Sequence, residues 1–120
     1  MIRPIPDLPD HVLGFTASGQ VTAADYETVL VPALESELKT RKKVRLLYQL
    51  GADFAGFDMG AMWADAKVGL HHPAAWERVA VVTDIDWLRS ATKVLGFAMP
   101  GQVKVFTNAE MAEARSWVAG

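Results

Sequence analysis

The sequence of 120 residues contains no cysteine. Disulfides, thiolate nucleophiles and zinc or iron–sulfur sites built on cysteine are therefore excluded. The chain also has no run of about 18 apolar residues, the length that a membrane-spanning helix requires. The first residues, Met1–Asp7, lead into no long apolar segment, so no secretory signal is predicted and a cytoplasmic protein is expected.

The charge of the chain is nearly balanced, with a formal net charge of −2 at pH 7. A chain without an excess of positive charge is not expected to attract nucleic acid, so no nucleic-acid partner is predicted. Hydrophobic residues make up 51% of the chain and charged residues 22%, which is close to the average of globular proteins and argues against disorder. The length suits one domain, predicted to span residues 1–120.

Five short segments are predicted to be β-strands because they are apolar throughout or alternate in polarity. They are Met1–Ile5, His11–Ser18, Val44–Leu50, Val79–Thr83 and a strand around Val103–Val105. Pro4 has no N–H to donate to a neighbouring strand, so the first strand is predicted at an edge of the sheet. The segment Val79–Thr83 is uncharged and rich in β-branched residues, so it is predicted near the centre.

Four helices are predicted from capping residues and from apolar residues at helical spacing. They begin after Thr22, at Met59, after Asp84 and after the capping box Thr107–Glu110. Pro32 lies inside the first helix and is expected to bend or split it. The third helix is predicted to run to about Leu95, with Gly96 as its stop.

The resulting order of elements is β-β-α-β-α-β-α-β-α. Strands that alternate with helices are joined by crossovers, which favours a mostly parallel sheet with helices on both faces. The initial hairpin adds one antiparallel strand at the N-terminal edge. The predicted fold class is therefore α/β.

Short segments along the whole chain resemble, in their order and spacing, the SpoIIAA-like bacterial proteins. These segments are Ser18-Gly19, Thr22, Asp25-Tyr26, Leu46-Leu47-Tyr48, Asp53-Phe54, Gly56-Phe57, Trp63, Trp76–Val82, Trp87, Val105-Phe106, Glu110, Ala114 and Trp117. The resemblance implies a single STAS-like domain, the fold of anti-sigma-factor antagonists. It also implies the kind of function: STAS domains are generally not enzymes and bind partner proteins, while SpoIIAA-like proteins are similar to lipid-binding domains with an apolar ligand cavity and membrane association.

One feature departs from the regulatory STAS pattern. That pattern places a phosphorylatable Ser or Thr in the loop after the strand that corresponds to Val44–Leu50. Residues 51–58 of this chain contain no hydroxyl side chain, so there is no place in that segment for the charge that phosphorylation adds. A phosphorylation switch is therefore disfavoured.

Apolar side chains are predicted to gather at the carboxyl ends of the parallel strands, where ligands bind open sheets at the point at which chain order reverses. One predicted loop carries Phe54 and Phe57 and is followed by a helix with Met62 and Trp63, and a second carries Trp87 and Leu88. Loops lie on the surface, so apolar residues in them need an apolar partner. The functional interpretation is that Phe54, Phe57, Met62, Trp63, Trp87 and Leu88 contact an apolar ligand or a bilayer interface. The alternative is that they fold back over the core.

Four carboxylates, Asp53, Asp58, Asp84 and Asp86, are also predicted near those strand ends. They could hold Mg²⁺ or supply an acid and a base. Asp58 and Asp84 are equally natural helix caps, so capping is the preferred interpretation. No metal site and no cofactor are predicted.

Five cations fall within seven residues: Lys39, Arg41, Lys42, Lys43 and Arg45. They can complement the C-terminal end of the first helix, or they can bind an anionic headgroup or an acidic protein surface. The cluster precedes the third strand, which places it at the opposite end of the sheet from Phe54 and Trp87.

Signatures of catalysis are lacking in the pattern of residues. His71-His72 has no accompanying metal-ligand spacing, and the serines lie in no nucleophile motif. The chain is therefore predicted not to be an enzyme, and catalysis by Asp53, Asp58 and Asp84 is a minor alternative. The predicted function is a cytoplasmic binding protein for an apolar small molecule or lipid, with peripheral association at the inner membrane face. The alternative is a protein-interaction module of anti-sigma-factor-antagonist type, and self-association in a homo-oligomer stays open.

Overall fold

The structure, a computed structural model, describes residues 1–61, 75–98 and 101–120. Five strands in these ranges form one sheet: β1 (Ile2–Pro4), β2 (Val12–Val21), β3 (Val44–Phe57), β4 (Trp76–Thr83) and β5 (Gln102–Phe106). Their order in the sheet follows the chain, β1-β2-β3-β4-β5. β1 is antiparallel to β2, and the other neighbouring pairs are parallel. The predicted α/β fold class with an antiparallel N-terminal edge strand is confirmed.

β1 is an edge strand that tolerates proline. Ile2 lies opposite Ala17 and Pro4 lies opposite Phe15 in the pairing with β2. Because β1 has a neighbour on one side only, the missing N–H of Pro4 leaves the sheet intact. The N–H of Ile5 then donates to the carbonyl of Gly14 over 2.9 Å and continues the pairing.

The first crossover is helical and contains a π-helical turn before Pro32. It consists of α1 (Ala23–Asp25), a π-helical turn (Tyr26–Leu30) and α2 (Val31–Thr40). The Val31 N–H donates to the carbonyl of Tyr26, five residues back, so the helix is locally widened. Pro32 lies in the first turn of α2, where its missing N–H disturbs least. The predicted split at Pro32 does not occur, because the chain stays helical from Ala23 to Thr40 with a π-helical turn before the proline.

Two further helices are described, α3 (Asp86–Ala98) and α4 (Met111–Ala119), with a 3₁₀ turn (Asn108–Glu110) before α4. The predicted cap of α3 at Asp84 and its stop at Gly96 are wrong. Asp84 instead accepts hydrogen bonds from the backbone N–H and the side-chain amide of Asn108, both over 3.1 Å. Gly96 lies inside α3 against Val103, where an added Cβ would be 3.3 Å from the Val103 Cβ.

Helices cover both sides of the sheet, as predicted. On the first side, the crossover helices and α3 bury Tyr26, Leu30, Leu34 and Leu88 against the strands. On the second side, Ala114 and Val118 of α4 pack against Leu47, Val82 and Phe106. α3 and α4 therefore lie on opposite sides of the sheet.

β3 is longer than the sequence predicts. The segment expected as a loop, residues 51–58, is strand up to Phe57, because β2 also continues and pairs with it. Gly19 lies opposite Phe54, after a register irregularity in β2. Gly19 and Gly56 have positive φ angles of 58° and 132°, which glycine adopts readily and which fit the bulges in this pairing. The prediction that Phe54 and Phe57 lie in a loop is wrong.

Candidate functional site

The strand order removes the reason for expecting a ligand crevice beside the predicted apolar residues. A crevice of that kind forms where strand order reverses. Within the described residues the order is sequential from β1 to β5, so the sheet has no such reversal point there.

The predicted apolar residues do not share one open surface. Phe54 is 9% exposed and Leu88 is 6% exposed, and both belong to the core on the first side of the sheet. Phe57 is half-buried, and its ring contacts Phe54 edge-to-face with centroids 4.9 Å apart. Trp87 differs from these because it is 57% exposed. The predictions for Met62 and Trp63 lie outside the described residues.

Trp87 begins a row of exposed apolar side chains on α3. Val94 is 70% exposed and Phe97 is 93% exposed, and both lie on the same side of the helix as Trp87, at i+7 and i+10. Ser90 and Ala91 lie between them and are also exposed. Leu88 occupies the opposite side of the helix and is buried in the core. These five exposed residues, Trp87, Ser90, Ala91, Val94 and Phe97, are called the outer face of α3.

Sequence reasoning missed Val94 and Phe97. The expected stop at Gly96 placed Phe97 beyond the helix, and Val94 was not predicted as a contact residue. A usable signal was present, because the charged residues of α3, Asp86, Arg89 and Lys93, lie along one strip of the helix. They leave the strip through Trp87, Ala91 and Val94 without charge. A helix that is apolar on both of its sides needs a partner on each.

The acidic residues near the strand ends have structural partners. Asp58 accepts a hydrogen bond from the Ala61 N–H over 2.6 Å and caps the helical turn that follows β3. Asp84 joins the end of β4 to Asn108, while Asp53 and Asp86 are exposed. Among the described residues, no group of three or more histidine or acidic side chains is arranged to hold a metal ion. The prediction for His71-His72 lies outside these residues.

A cleft of about 320 Å³ opens at the end of the sheet where the parallel strands begin. It is lined by His11, Arg41, Lys42, Lys43, Arg45 and Glu77. Arg45 Nε lies 2.5 Å from Glu77 Oε1, and Arg45 Nη1 donates to the Val118 carbonyl over 3.0 Å. The structure therefore joins most of the basic run to residues that are distant in the sequence. These six residues are called the basic cleft.

Several carboxyl groups are stabilised in their charged form by hydrogen bonds. The side-chain hydrogen bond from Arg45 lowers the pKa of Glu77. The backbone N–H of Thr22 lowers the pKa of Asp25, and that of Thr107 lowers the pKa of Glu110, in the two capping boxes. The side chain of Asn108 lowers the pKa of Asp84. Each folded-state pKa therefore lies below its value in the unfolded chain.

These shifts predict a loss of stability in acid. The unfolded chain binds more protons than the folded one, so the stabilisation is complete above about pH 5 and is lost as the pH falls through the folded-state pKa values. Urea unfolding measured between pH 7 and pH 3 should show a falling free energy of unfolding below about pH 4.5. Glu77→Gln should make this fall shallower, whereas Glu113→Gln, at an exposed position, should not. A free energy that stays constant down to pH 3 would contradict the prediction.

The sheet topology, with its antiparallel N-terminal edge strand and helices on both sides, is that of a STAS-like domain. A family model described as SpoIIAA-like matches residues 12–119, so the chain belongs to the SpoIIAA-like family. The chain is similar to the crystal structure of an uncharacterised protein with a SpoIIAA-like fold from Shewanella loihica PV-4. The two are 30% identical with a TM-score of 0.76, over 98% of this chain and 92% of that one. No curated protein matches the chain.

Proposed function

We propose that the protein is a non-catalytic binding domain that associates peripherally with a membrane surface through the outer face of α3. The observation that carries the proposal is the exposure of Trp87, Val94 and Phe97 on one side of a helix whose other side is anchored in the core. Trp87 suits this role because tryptophan favours the membrane–water boundary.

The geometry of α3 suits a helix that lies in the plane of the interface. Trp87 and Phe97 are ten residues apart, so the apolar row is about 15 Å long. None of the residues between them on this side is charged, and Lys93 and Asp86 lie at its border and are exposed. An interfacial helix buries one apolar side to a shallow depth and keeps charged groups at the headgroups. None of the helices in the described ranges has the length and apolar content needed to cross a bilayer.

Burial of the outer face in a bilayer would remove a substantial apolar area from water. Fully burying a large apolar side chain contributes about 1.5–3 kcal/mol. Trp87 is 57% exposed and Phe97 is 93% exposed, so together they are expected to contribute about 3 kcal/mol, which corresponds to a change of about 100-fold in affinity.

The test is sedimentation of the protein with vesicles of phosphatidylcholine, with and without phosphatidylglycerol. The wild type should sediment with vesicles, and Trp87→Ser/Phe97→Ser should weaken binding by about 100-fold without changing the thermal midpoint. The matched control is Trp87→Phe/Phe97→Leu, which keeps the face apolar and should retain binding. Its tryptophan emission should no longer shift on binding, because the exposed ring that enters the interface is gone.

Two results would contradict the membrane proposal. One is a serine double variant that sediments as well as the wild type. The other is a wild type that fails to bind either vesicle and instead retains a stoichiometric protein partner that the serine variant loses. The second result would assign the outer face of α3 to protein interaction, the other function that STAS-like domains carry.

A further inference from the structure

The basic cleft concentrates positive charge in a chain whose net charge is −2. Arg41, Lys42, Lys43 and Arg45 line it together with one carboxylate, Glu77. The Glu77 carboxylate is bound to Arg45 and stays ionised because that hydrogen bond lowers its pKa. Arg41 is paired with a second carboxylate, Glu37, so four cations face two carboxylates and the cleft keeps an excess of positive charge.

The walls of the cleft are held in place by contacts with other elements. Arg41 Nε lies 2.6 Å from Oε1 of Glu37 on α2. His11 Nε2 lies 2.9 Å from the carbonyl oxygen of Ala119 at the end of α4. Arg45 is bound at Nε by Glu77 and at Nη1 by the Val118 carbonyl. Groups fixed in this way lose little conformational entropy when a ligand binds.

The arginines keep donors for a ligand after making these contacts. A guanidinium group has five N–H donors, and the Arg45 contacts to Glu77 and Val118 in the described structure use donors on Nε and Nη1. The donors on Nη2 are left for an oxyanion. Guanidinium and ammonium groups form charge-assisted hydrogen bonds with phosphate oxygens, and these are stronger than hydrogen bonds between neutral groups.

Interactions with the C-terminal ends of helices explain only some of the residues in the basic cleft. His11 and Arg45 bind carbonyls at the C-terminal end of α4, and Arg41 pairs with Glu37 of α2. Arginine side chains near a helix C-terminus are stabilising in themselves. Lys42 is exposed, lies beyond the end of α2 and still lines the cleft, so its charge is directed to the cleft and not to a helix terminus.

We propose that the basic cleft binds a small molecule that carries phosphate groups. Its volume of about 320 Å³ falls at the lower end of the range of small-molecule sites. The cleft lies between the segment that follows α2 and the end of α4, and none of the residues that line it belongs to α3. Contact of α3 with a membrane therefore does not account for the cleft, and a soluble phosphorylated molecule is the ligand favoured over a lipid headgroup.

The first experiment measures binding of inorganic pyrophosphate by heteronuclear NMR at low ionic strength. Amide resonances of residues 41–45 and of His11 should shift in a saturable way. Lys42→Gln/Lys43→Gln should weaken binding by at least about tenfold, and Lys42→Gln alone by less. Lys93→Gln makes the same change of charge as the single variant but lies on α3, so it should leave the affinity unchanged. Dispersed spectra of all variants establish that they are folded.

A second experiment distinguishes a lipid from a soluble molecule as the source of the phosphate group. Vesicles of phosphatidylcholine containing phosphatidic acid are offered to Trp87→Ser/Phe97→Ser, which lacks the outer face of α3. Binding that pyrophosphate displaces and that Lys42→Gln/Lys43→Gln abolishes would assign the phosphate group to a lipid and keep the site.

Three outcomes would overturn the proposal: no saturable shift with pyrophosphate, equal weakening in Lys93→Gln, or tighter binding of an acidic glutamate peptide than of pyrophosphate. The last would assign the cleft to an acidic protein surface. The wild-type result for pyrophosphate does not depend on vesicle binding by α3, so failure of this proposal and failure of the membrane proposal are separate results.

Discussion

Phe54→Ala should lower the free energy of unfolding by about 3–5 kcal/mol, the range found when a buried phenylalanine is truncated. Phe54 is 9% exposed, belongs to the core on the first side of the sheet and contacts the ring of Phe57 edge-to-face. Truncation removes this contact and leaves a cavity between β3 and the helices. In a domain of this size the thermal midpoint should fall by about 10 °C or more.

The control for Phe54→Ala is Met59→Ala. Met59 lies five residues further along the chain and is 87% exposed, so its truncation should change stability by less than about 0.5 kcal/mol. Denaturant unfolding of both variants decides between two roles for Phe54. A core residue gives the large loss predicted here. A residue that forms the wall of an open ligand site would give a small loss similar to that of Met59→Ala, and this result would contradict the burial of Phe54.

The parts of the fold that depend on local sequence are the parts that could be predicted. The capping boxes at Thr22 and Thr107 each need a carboxylate three residues later, and both are present in the structure. The strand–helix alternation determined that the sheet is mostly parallel, because parallel neighbours need crossovers. Pro4 predicted β1 at an edge of the sheet, because proline has no N–H to donate to a neighbouring strand.

The errors came from contacts between residues far apart in the sequence. Gly51, Gly56 and the aspartates of residues 51–58 are typical of a loop, yet β2 continues beside this segment and turns it into strand. Asp84 is a residue type that often caps helices and it lies shortly before α3, but Asn108, 24 residues further along the chain, binds its carboxylate. Nothing in the local pattern indicates that such a partner exists.

The candidate surfaces were predictable to different degrees for the same reason. The basic run was visible in the sequence, whereas the contribution of His11 and Glu77 to the cleft requires strand pairing and the position of α4. Trp87 was predicted as a contact residue and is exposed. Val94 and Phe97 join it only because α3 continues through Gly96, which packs against Val103 of β5.

Gly101→Ala should destabilise the protein by about 3 kcal/mol, at the upper end of the usual effect of overpacking. A Cβ at Gly101 would lie 2.1 Å from the carbonyl oxygen of Trp76 and 2.8 Å from its carbonyl carbon. These are backbone atoms at the start of β4, and Trp76 is paired there with Val44 of β3. The backbone of a strand with neighbours on both sides cannot move away without disturbing its pairing, so the strain stays in the sheet.

Gly14→Ala is the matched control, because it tests a contact that is equally short but made with a flexible group. A Cβ at Gly14 would lie 2.2 Å from Cδ1 of Leu8, which is the end of a half-buried side chain in the segment before β2. Leu8 can change its rotamer, so the expected loss is about 1 kcal/mol. Urea unfolding should give Gly101→Ala a clearly lower free energy of unfolding than Gly14→Ala. Equal losses, or a Gly101→Ala variant as stable as the wild type, would show that β5 does not enter the sheet as closely against Trp76 as the structure places it.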